Sequence, residues 1–170
     1  WERPKGPASM FIVDIKALAP SAKGGLWLGT HDKGLWLLGK DGSLTSIQQV
    51  EGSQKLEISR ILEDRKGRVW VGTHGLGLLL LEGNHLRQVS NGRLDLNIES
   101  LGLGRDGNLW VGSNLGLFRG VDGALIPFQE STFGRYSRIP AVLEDREGTL
   151  WAGTWQEGLV HLRKASLDLI

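Results

Sequence analysis

Four short segments of this chain are near copies of one another. They read L-W-L-G-T from Leu26 to Thr30, V-W-V-G-T from Val69 to Thr73, L-W-V-G-S from Leu109 to Ser113 and L-W-A-G-T from Leu150 to Thr154. Their tryptophans, Trp27, Trp70, Trp110 and Trp151, stand 40 to 43 positions apart, the period of one four-stranded propeller blade per repeat. A unit of that size cannot bury its apolar face alone and must stack on its neighbours. The expected fold is therefore all-β, a propeller-type array of four blades. They span about residues 11–52, 53–93, 94–132 and 133–170, after an N-terminal extension of residues 1–10.

Each repeat divides into four strands. Strand A is expected at Ile12–Ala19, Glu57–Glu63, Asn97–Leu103 and Arg138–Glu144. Strand B carries the Trp. Strand C begins at the pairs Gly34-Leu35, Gly77-Leu78, Gly116-Leu117 and Gly158-Leu159, and strand D at Leu44–Val50, His85–Val89, Ala124–Phe128 and Ser166–Ile170. Apolar runs are short and punctuated by Gly, Asp and Asn, and none has a helical period, so almost no helix is expected.

The A–B connections are the most regular. A glycine stands three positions before each Trp (Gly24, Gly67, Gly107, Gly148) and an Asp three earlier still in units two and four (Asp64, Asp145). Asp caps such a turn with its side chain while Gly accepts a positive φ. Unit one has Ser21 and unit three Gly104 in place of the Asp, and looser turns are expected there. Strand B is apolar or small on both faces, which fits sheets stacked on both sides rather than one facing water. The glycine two places after each Trp is read as room for a large side chain of a neighbouring blade. Pro140 is expected inside a strand A, at an edge that needs no partner.

Lys and Arg number 20 against 19 Asp and Glu, so no basic surface of the size a nucleic-acid binder needs stands out. The absence of Cys rules out disulfides, Cys-ligated zinc and thiol chemistry. No apolar run approaches the ~18 residues of a membrane span, so no membrane contact is expected within this chain. With no start Met and no signal peptide, the chain reads as an excised piece of something longer.

The run I-S-R-I-L-E-D-R-K-G-R-V-W-V-G-T-H-G-L-G-L from Ile58 to Leu78 resembles the two-component-regulator propeller repeat, and Arg138 to Leu159 is nearly as close. Units one and three keep the Trp-x-Gly-Thr/Ser core and lose the Glu-Asp pair. The resemblance covers about residues 11 to 165. It implies an extracytoplasmic, periplasmic sensor region without catalytic activity of its own. In such proteins it lies ahead of a transmembrane helix and a histidine kinase, diguanylate cyclase or DNA-binding output module. Family members commonly carry seven blades per ring. For four blades, three assemblies are open: a tight four-bladed ring, two chains completing an eight-bladed ring, or an open fragment of a larger propeller. A homodimer is the expected partner arrangement.

Binding usually lives on loops held by a rigid scaffold. The residue after each Gly-Thr/Ser is His31, His74, Asn114 and Trp155 in turn. Together with Asp32, Gln156 and Glu157 these form the candidate ligand face, mixed polar and aromatic, suited to a carbohydrate, a peptide or a protein partner. The longest D–A loop, Gln129 to Ser137, opens on the same face and adds Arg135 and Tyr136 beside Phe133. His31 and His74 could share a metal, but no ligand spacing such as His-Glu-x-x-His appears, and neither metal nor cofactor is expected. His85 and His161 read as ordinary partly exposed histidines on strands C or D. Trp36 and Phe118 on strand C read as inter-blade packing.

The G-x-G-x-x-G of Gly102, Gly104 and Gly107 lacks the strand–helix setting of a dinucleotide site and is read as a hairpin. The pairs Glu63-Asp64 and Glu144-Asp145 repeat at one register, which argues for turn capping rather than acid–base catalysis. No G-x-S-x-G elbow occurs. Two further readings remain: an interaction scaffold without a small ligand, and, by fold-level analogy only, a lyase similar to the streptogramin-inactivating propellers, whose repeat favours a Trp-Phe-Thr core over the Trp-x-Gly-Thr found here.

Overall fold

A computed structural model describes residues 14–47, 55–89, 96–121, 124–128 and 137–162. Every regular element among them is a β-strand. The chain divides into two units, Trp1–Ile98 and Glu99–Ile170.

The first unit holds two blades. Blade 1 is β1 (Ile15–Pro20), β2 (Leu26–Thr30), β3 (Leu35–Leu38) and β4 (Leu44–Ser46); blade 2 is β5 (Ile58–Glu63), β6 (Val69–Thr73), β7 (Leu78–Glu82) and β8 (His85–Gln88). Each is an antiparallel meander in chain order. Blade 3 has β9 (Ile98–Leu103), β10 (Leu109–Ser113), β11 (Gly116–Val121) and β12 (Ala124–Pro127) in the same order, its first residue closing the first unit. Blade 4 shows β13 (Ala141–Glu144), β14 (Leu150–Gly153) and β15 (Leu159–Leu162). The strand expected at Ser166–Ile170, the start of strand A at Ile12–Val13 and the end of strand D at Gln48–Val50 lie outside the described residues.

The hairpins follow from their glycines. Gly24, Gly67, Gly107 and Gly148 have φ of 86°, 76°, 81° and 81°, the left-handed residue of a short A–B loop. In blade 2, Asp64 Oδ1 accepts the backbone N–H groups of Lys66 (2.9 Å) and Arg68 (3.0 Å). In blade 4, Asp145 Oδ1 accepts those of Glu147 (3.0 Å) and Thr149 (2.8 Å). The turns lacking Asp are not looser, contrary to expectation. Gly24 N donates to Ser21 O at 2.8 Å and Gly107 N to Gly104 O at 3.0 Å, as tight as the 2.9 and 3.2 Å of the Asp turns. Gly at the left-handed position closes the backbone by itself, and in blade 3 Asp106 Oδ1 accepts Asn108 N in place of the missing cap.

The Glu-Asp pair does more than cap. Asp64 Oδ2 accepts the indole N–H of Trp70 at 3.1 Å, and Asp145 Oδ2 that of Trp151 at 2.6 Å. Blades 1 and 3 have no such Asp, and their tryptophans are held by the glutamate of the blade that follows. Glu63 Oε2 accepts Trp27 Nε1 (2.7 Å) and the turn amide of Ala22 (3.1 Å). Glu144 accepts Trp110 Nε1 (3.1 Å) through Oε2 and Arg105 N (3.0 Å) through Oε1. Trp27, Trp70 and Trp110 are buried and Trp151 half-buried, and each has its one donor satisfied, from its own blade in two cases and from the next blade in the other two.

Packing between successive blades uses the glycine after the Trp. A Cβ at Gly29 would lie 2.4 Å from Ile58 Cγ2, and one at Gly72 2.6 Å from Ile98 Cγ2, both within the first unit. In the second unit a Cβ at Gly112 would lie 2.9 Å from Ile139 Cγ2. At Gly29, Gly72 and Gly112 the expected room for a neighbour's side chain is therefore real, and the isoleucine that leads the next strand A lies against it. In the first unit Ile58 joins Leu35, Leu56, Val71 and Leu79 in one core; in the second, Ile139 packs with Trp110, Leu117, Leu150 and Ala152.

Pro140 does not lie inside strand A but immediately before β13. β1 and β5 show why a proline fits there. Their registers skip one residue, Lys16 between Ile15 and Ala17 and Ser59 between Ile58 and Arg60. Pro140 stands at the same place after Ile139, where no ladder hydrogen bond is needed.

Candidate functional site

The turn that follows each strand B is built by its Thr or Ser. Thr30 Oγ1 donates to Gly34 O (3.0 Å) and accepts Lys33 N (2.9 Å); Thr73 Oγ1 donates to Gly77 O (2.7 Å); Ser113 Oγ donates to Gly116 O (2.9 Å); Thr154 Oγ1 accepts Glu157 N (2.8 Å). The next residue is tied by its amide to the residue just ahead of strand A. His31 N donates to Asp14 O (3.1 Å), His74 N to Glu57 O (3.0 Å) and Trp155 N to Arg138 O (3.2 Å). Each blade end thus presents two side chains side by side: Asp14 with His31, Glu57 with His74, and Arg138 with Trp155.

In the first unit, His31 and His74 converge, as their register predicts, but on a carboxylate. His74 Nδ1 is 3.0 Å from Glu57 Oε1. His31 Nδ1 lies 3.3 Å from the same oxygen, within ion-pair range yet off the line of a hydrogen bond. Lys55 Nζ stands 3.2 Å from His31 Nε2. Burial pushes the Glu57 carboxyl up, but the hydrogen bond from His74 and the charges of His74 and His31 outweigh it and hold it below its ordinary value of 4.5. Asp14 is held below its ordinary 3.8 mainly by a hydrogen bond from Lys16, 3.0 Å away. Asn97 extends the row, its Oδ1 accepting Gly75 N at 2.8 Å. Asp32 is exposed beside His31. Among the described residues no group of three or more His, Asp or Glu is arranged to hold a metal.

In the second unit the B–C turn of blade 4 carries Trp155, 69% exposed. The guanidinium of Arg138 lies over its ring, 4.8 Å from the centroid, and is held in turn by Glu99 at 2.8 Å. Glu157 accepts the Ser137 hydroxyl at 2.7 Å, and Gln156 is exposed between them. Asn114 is half-buried after β10. Arg135, Tyr136 and Phe133 lie outside the described residues.

Other features identified in the sequence have plain structural roles. Gly102, Gly104 and Gly107 belong to the β9–β10 hairpin. His85 opens β8, and His161 sits in β15 against Trp151, 5.3 Å between ring centroids. Phe118 is buried in β11. Trp36 is half-buried and donates its indole N–H to Lys33 O at 2.9 Å, bracing its own B–C turn. Sequence reasoning missed Asp14, Glu57, Asn97 and Arg138 as site residues. The signal was available: each stands immediately before the leading isoleucine of a strand A.

Meander blades locked by a repeated Trp and Gly, with charged and aromatic pairs gathered at their B–C ends, define a β-propeller-type repeat protein. Two segments, residues 52–75 and 134–156, match the family model of the two component regulator propeller. The matched segments are the two that contain the Glu-Asp pair. No curated protein matches the chain in sequence.

Among solved structures, the extracellular domain of BT4673 from B. thetaiotaomicron is similar, with a TM-score of 0.73 and 25% identity over 90% of this chain and 22% of that one. It is described both as a one component and as a hybrid two component system. The extracellular domain of the hybrid two component system BT3049 from the same organism gives a TM-score of 0.65 at 23% identity, over 85% of this chain and 19% of that one. Virginiamycin B lyase from Staphylococcus aureus has a TM-score of 0.69 at 15% identity, over 91% of this chain and 57% of that one, a likeness of fold alone. The chain spans about a fifth of the length of the BT4673 and BT3049 structures. No helix among the described residues is long and apolar enough to cross a membrane.

Proposed function

We propose that this chain is an extracytoplasmic, periplasmic sensor module without catalytic activity of its own. It binds a small carbohydrate or peptide at the B–C ends of its blades and serves a two-component or cyclic-di-GMP signalling protein. The observation that carries this is the Trp155 platform. An exposed indole is costly in water unless it has a partner to meet, and this one is already stacked on Arg138, itself held by Glu99. Such preorganisation lowers the ordering cost of binding and leaves an aromatic surface for a sugar ring or a peptide side chain. The Lys55–His31–Glu57–His74 row offers donors and acceptors at the equivalent ends of blades 1 and 2. The similarity to extracellular domains of signalling systems supports the compartment and the sensing role.

The test is calorimetric titration with panels of neutral, acidic and basic oligosaccharides and of short peptides. A ligand from one class should bind, and Trp155→Ala should weaken it at least tenfold while the far-UV spectrum is unchanged. Binding indifferent to both Trp155→Ala and Glu57→Gln would sink this reading.

A further inference from the structure

The row of Lys55, His31, Glu57 and His74 is strung between two blades of the first unit. His31 belongs to the β2–β3 turn of blade 1, while Lys55 and Glu57 precede β5 and His74 follows β6 in blade 2. His31 stands between opposite charges. Its Nε2 is 3.2 Å from Lys55 Nζ, and its Nδ1 is 3.3 Å from Glu57 Oε1. That Nδ1 is buried and makes no hydrogen bond, although a carboxylate stands beside it. His74 Nδ1 already has the same oxygen as its hydrogen-bond partner, at 3.0 Å. Among the described residues the other charges around His31 are Asp14, paired with Lys16 at 3.0 Å, and Asp32 and Lys33 of its own turn, all exposed.

The two contacts of His31 answer to protonation in opposite ways. An ammonium only donates, so a hydrogen bond from Lys55 requires a lone pair on Nε2, and an imidazolium has none. The same proton strengthens the attraction to Glu57. Imidazoles as a class change charge between about pH 5 and 8. Glu57 stays ionised over that span: burial raises its pKa, but the His74 hydrogen bond and the charges of both histidines bring it below its ordinary 4.5. We propose that His31 is a proton-driven switch at the B–C end of the first unit. Bare, it holds Lys55. Protonated, it releases Lys55 and pairs with Glu57, tying blade 1 to blade 2 by charge and freeing an ammonium on the surface. The step takes one proton from solvent and exchanges one contact for the other. That the freed ammonium meets a ligand rests on the function proposed above; the exchange itself needs no ligand.

The experiment is an NMR titration of the chain, without ligand, from about pH 8 to about pH 5, where imidazoles change charge. It follows the histidine ring nitrogens, the Lys55 Cε methylene and the Glu57 carboxylate carbon. In the wild type the Lys55 signals should shift in step with the His31 ring. His31→Asn should abolish that shift. His74→Asn should preserve it, because Lys55 lies against His31 and not His74. In that variant the Glu57 carbon should still follow the His31 ring, now its one histidine neighbour. Both histidines stand on turns, and retained amide dispersion shows each variant folded; His31→Gln serves if His31→Asn is not. Lys55 signals that stay flat while His31 titrates overturn the proposal. So does a Lys55 shift that survives the loss of His31, or a Glu57 carbon that ignores His31 in the His74→Asn variant. Because nothing is bound during the titration, these results stand apart from the success or failure of the sensing function, which the calorimetric titrations decide.

Discussion

The indole N–H of each repeat tryptophan is a single donor in a largely apolar place, and two different carboxylates answer it. This alternation makes residue-level predictions. Glu63→Ala removes the acceptor of both Trp27 Nε1 and Ala22 N and should cost about 1–3 kcal/mol, the price of stranding a buried donor, read from the urea midpoint. Gly104→Asp would install in blade 3 the residue that blades 2 and 4 carry, yet it should destabilise. A Cβ at Gly104 would already lie 2.7 Å from Glu144 Oε2 and 3.0 Å from Asp106 Oδ1, so a third carboxylate would meet two others. Combining Gly104→Asp with Glu144→Gln should recover part of the loss, a non-additivity measurable in a double-mutant cycle. Read alone, the sequence shows the Glu-Asp pair recurring, but not that its Glu serves the preceding blade. That role depends on which side chains two sheets bring within hydrogen-bond distance, 2.7 Å for Trp27 with Glu63 and 3.1 Å for Trp110 with Glu144.

At the scale of the strand and its neighbour, glycine is defined by what faces it. Gly72→Ala would push a methyl group to 2.6 Å from Ile98 Cγ2 and 2.9 Å from Ile98 Cβ, and should cost about 1–3 kcal/mol as overpacking. At Gly153, the same repeat position, a Cβ meets nothing nearer than Ala141 Cβ at 3.4 Å, and Gly153→Ala should stay within about 0.5 kcal/mol. Chemical denaturation of the two variants at low protein concentration gives the comparison. Strand order, hairpin glycines and the Trp strand were legible because each is written into a local period. The skipped register at Lys16 and Ser59 was not, which is why Pro140 was expected inside a strand instead of at its unpaired entry. The site was legible in half. His31, His74 and Trp155 follow the Gly-Thr mark, but the residues that hold them, Glu57 and Arg138, come from across the sheet, some 17 positions away.

For the molecule as a whole, the carboxylates set the response to acid. Asp64 is pushed up by burial but pulled further down by its hydrogen bonds from Trp70, Arg68 and Lys66, and Asp145 is lowered chiefly by Trp151; both end below their ordinary value of 3.8. A carboxylate whose folded value is depressed contributes stability that is present above its unfolded value and is lost as pH falls through the folded one. Stability should therefore hold down to about pH 4 on account of these groups and decline below it. Asp64→Asn with Asp145→Asn should lower the plateau and flatten that decline, as seen in denaturant midpoints across pH. The four Trp-x-Gly periods, and the turn glycines between them, determined by sequence alone that this chain folds as blades, because strand period and turn chemistry act between near neighbours. Only the tertiary structure decided which carboxylate each tryptophan uses, which histidines share Glu57, and which glycine is left open. Those are properties of surfaces from separate repeats brought face to face, and no local pattern specifies them.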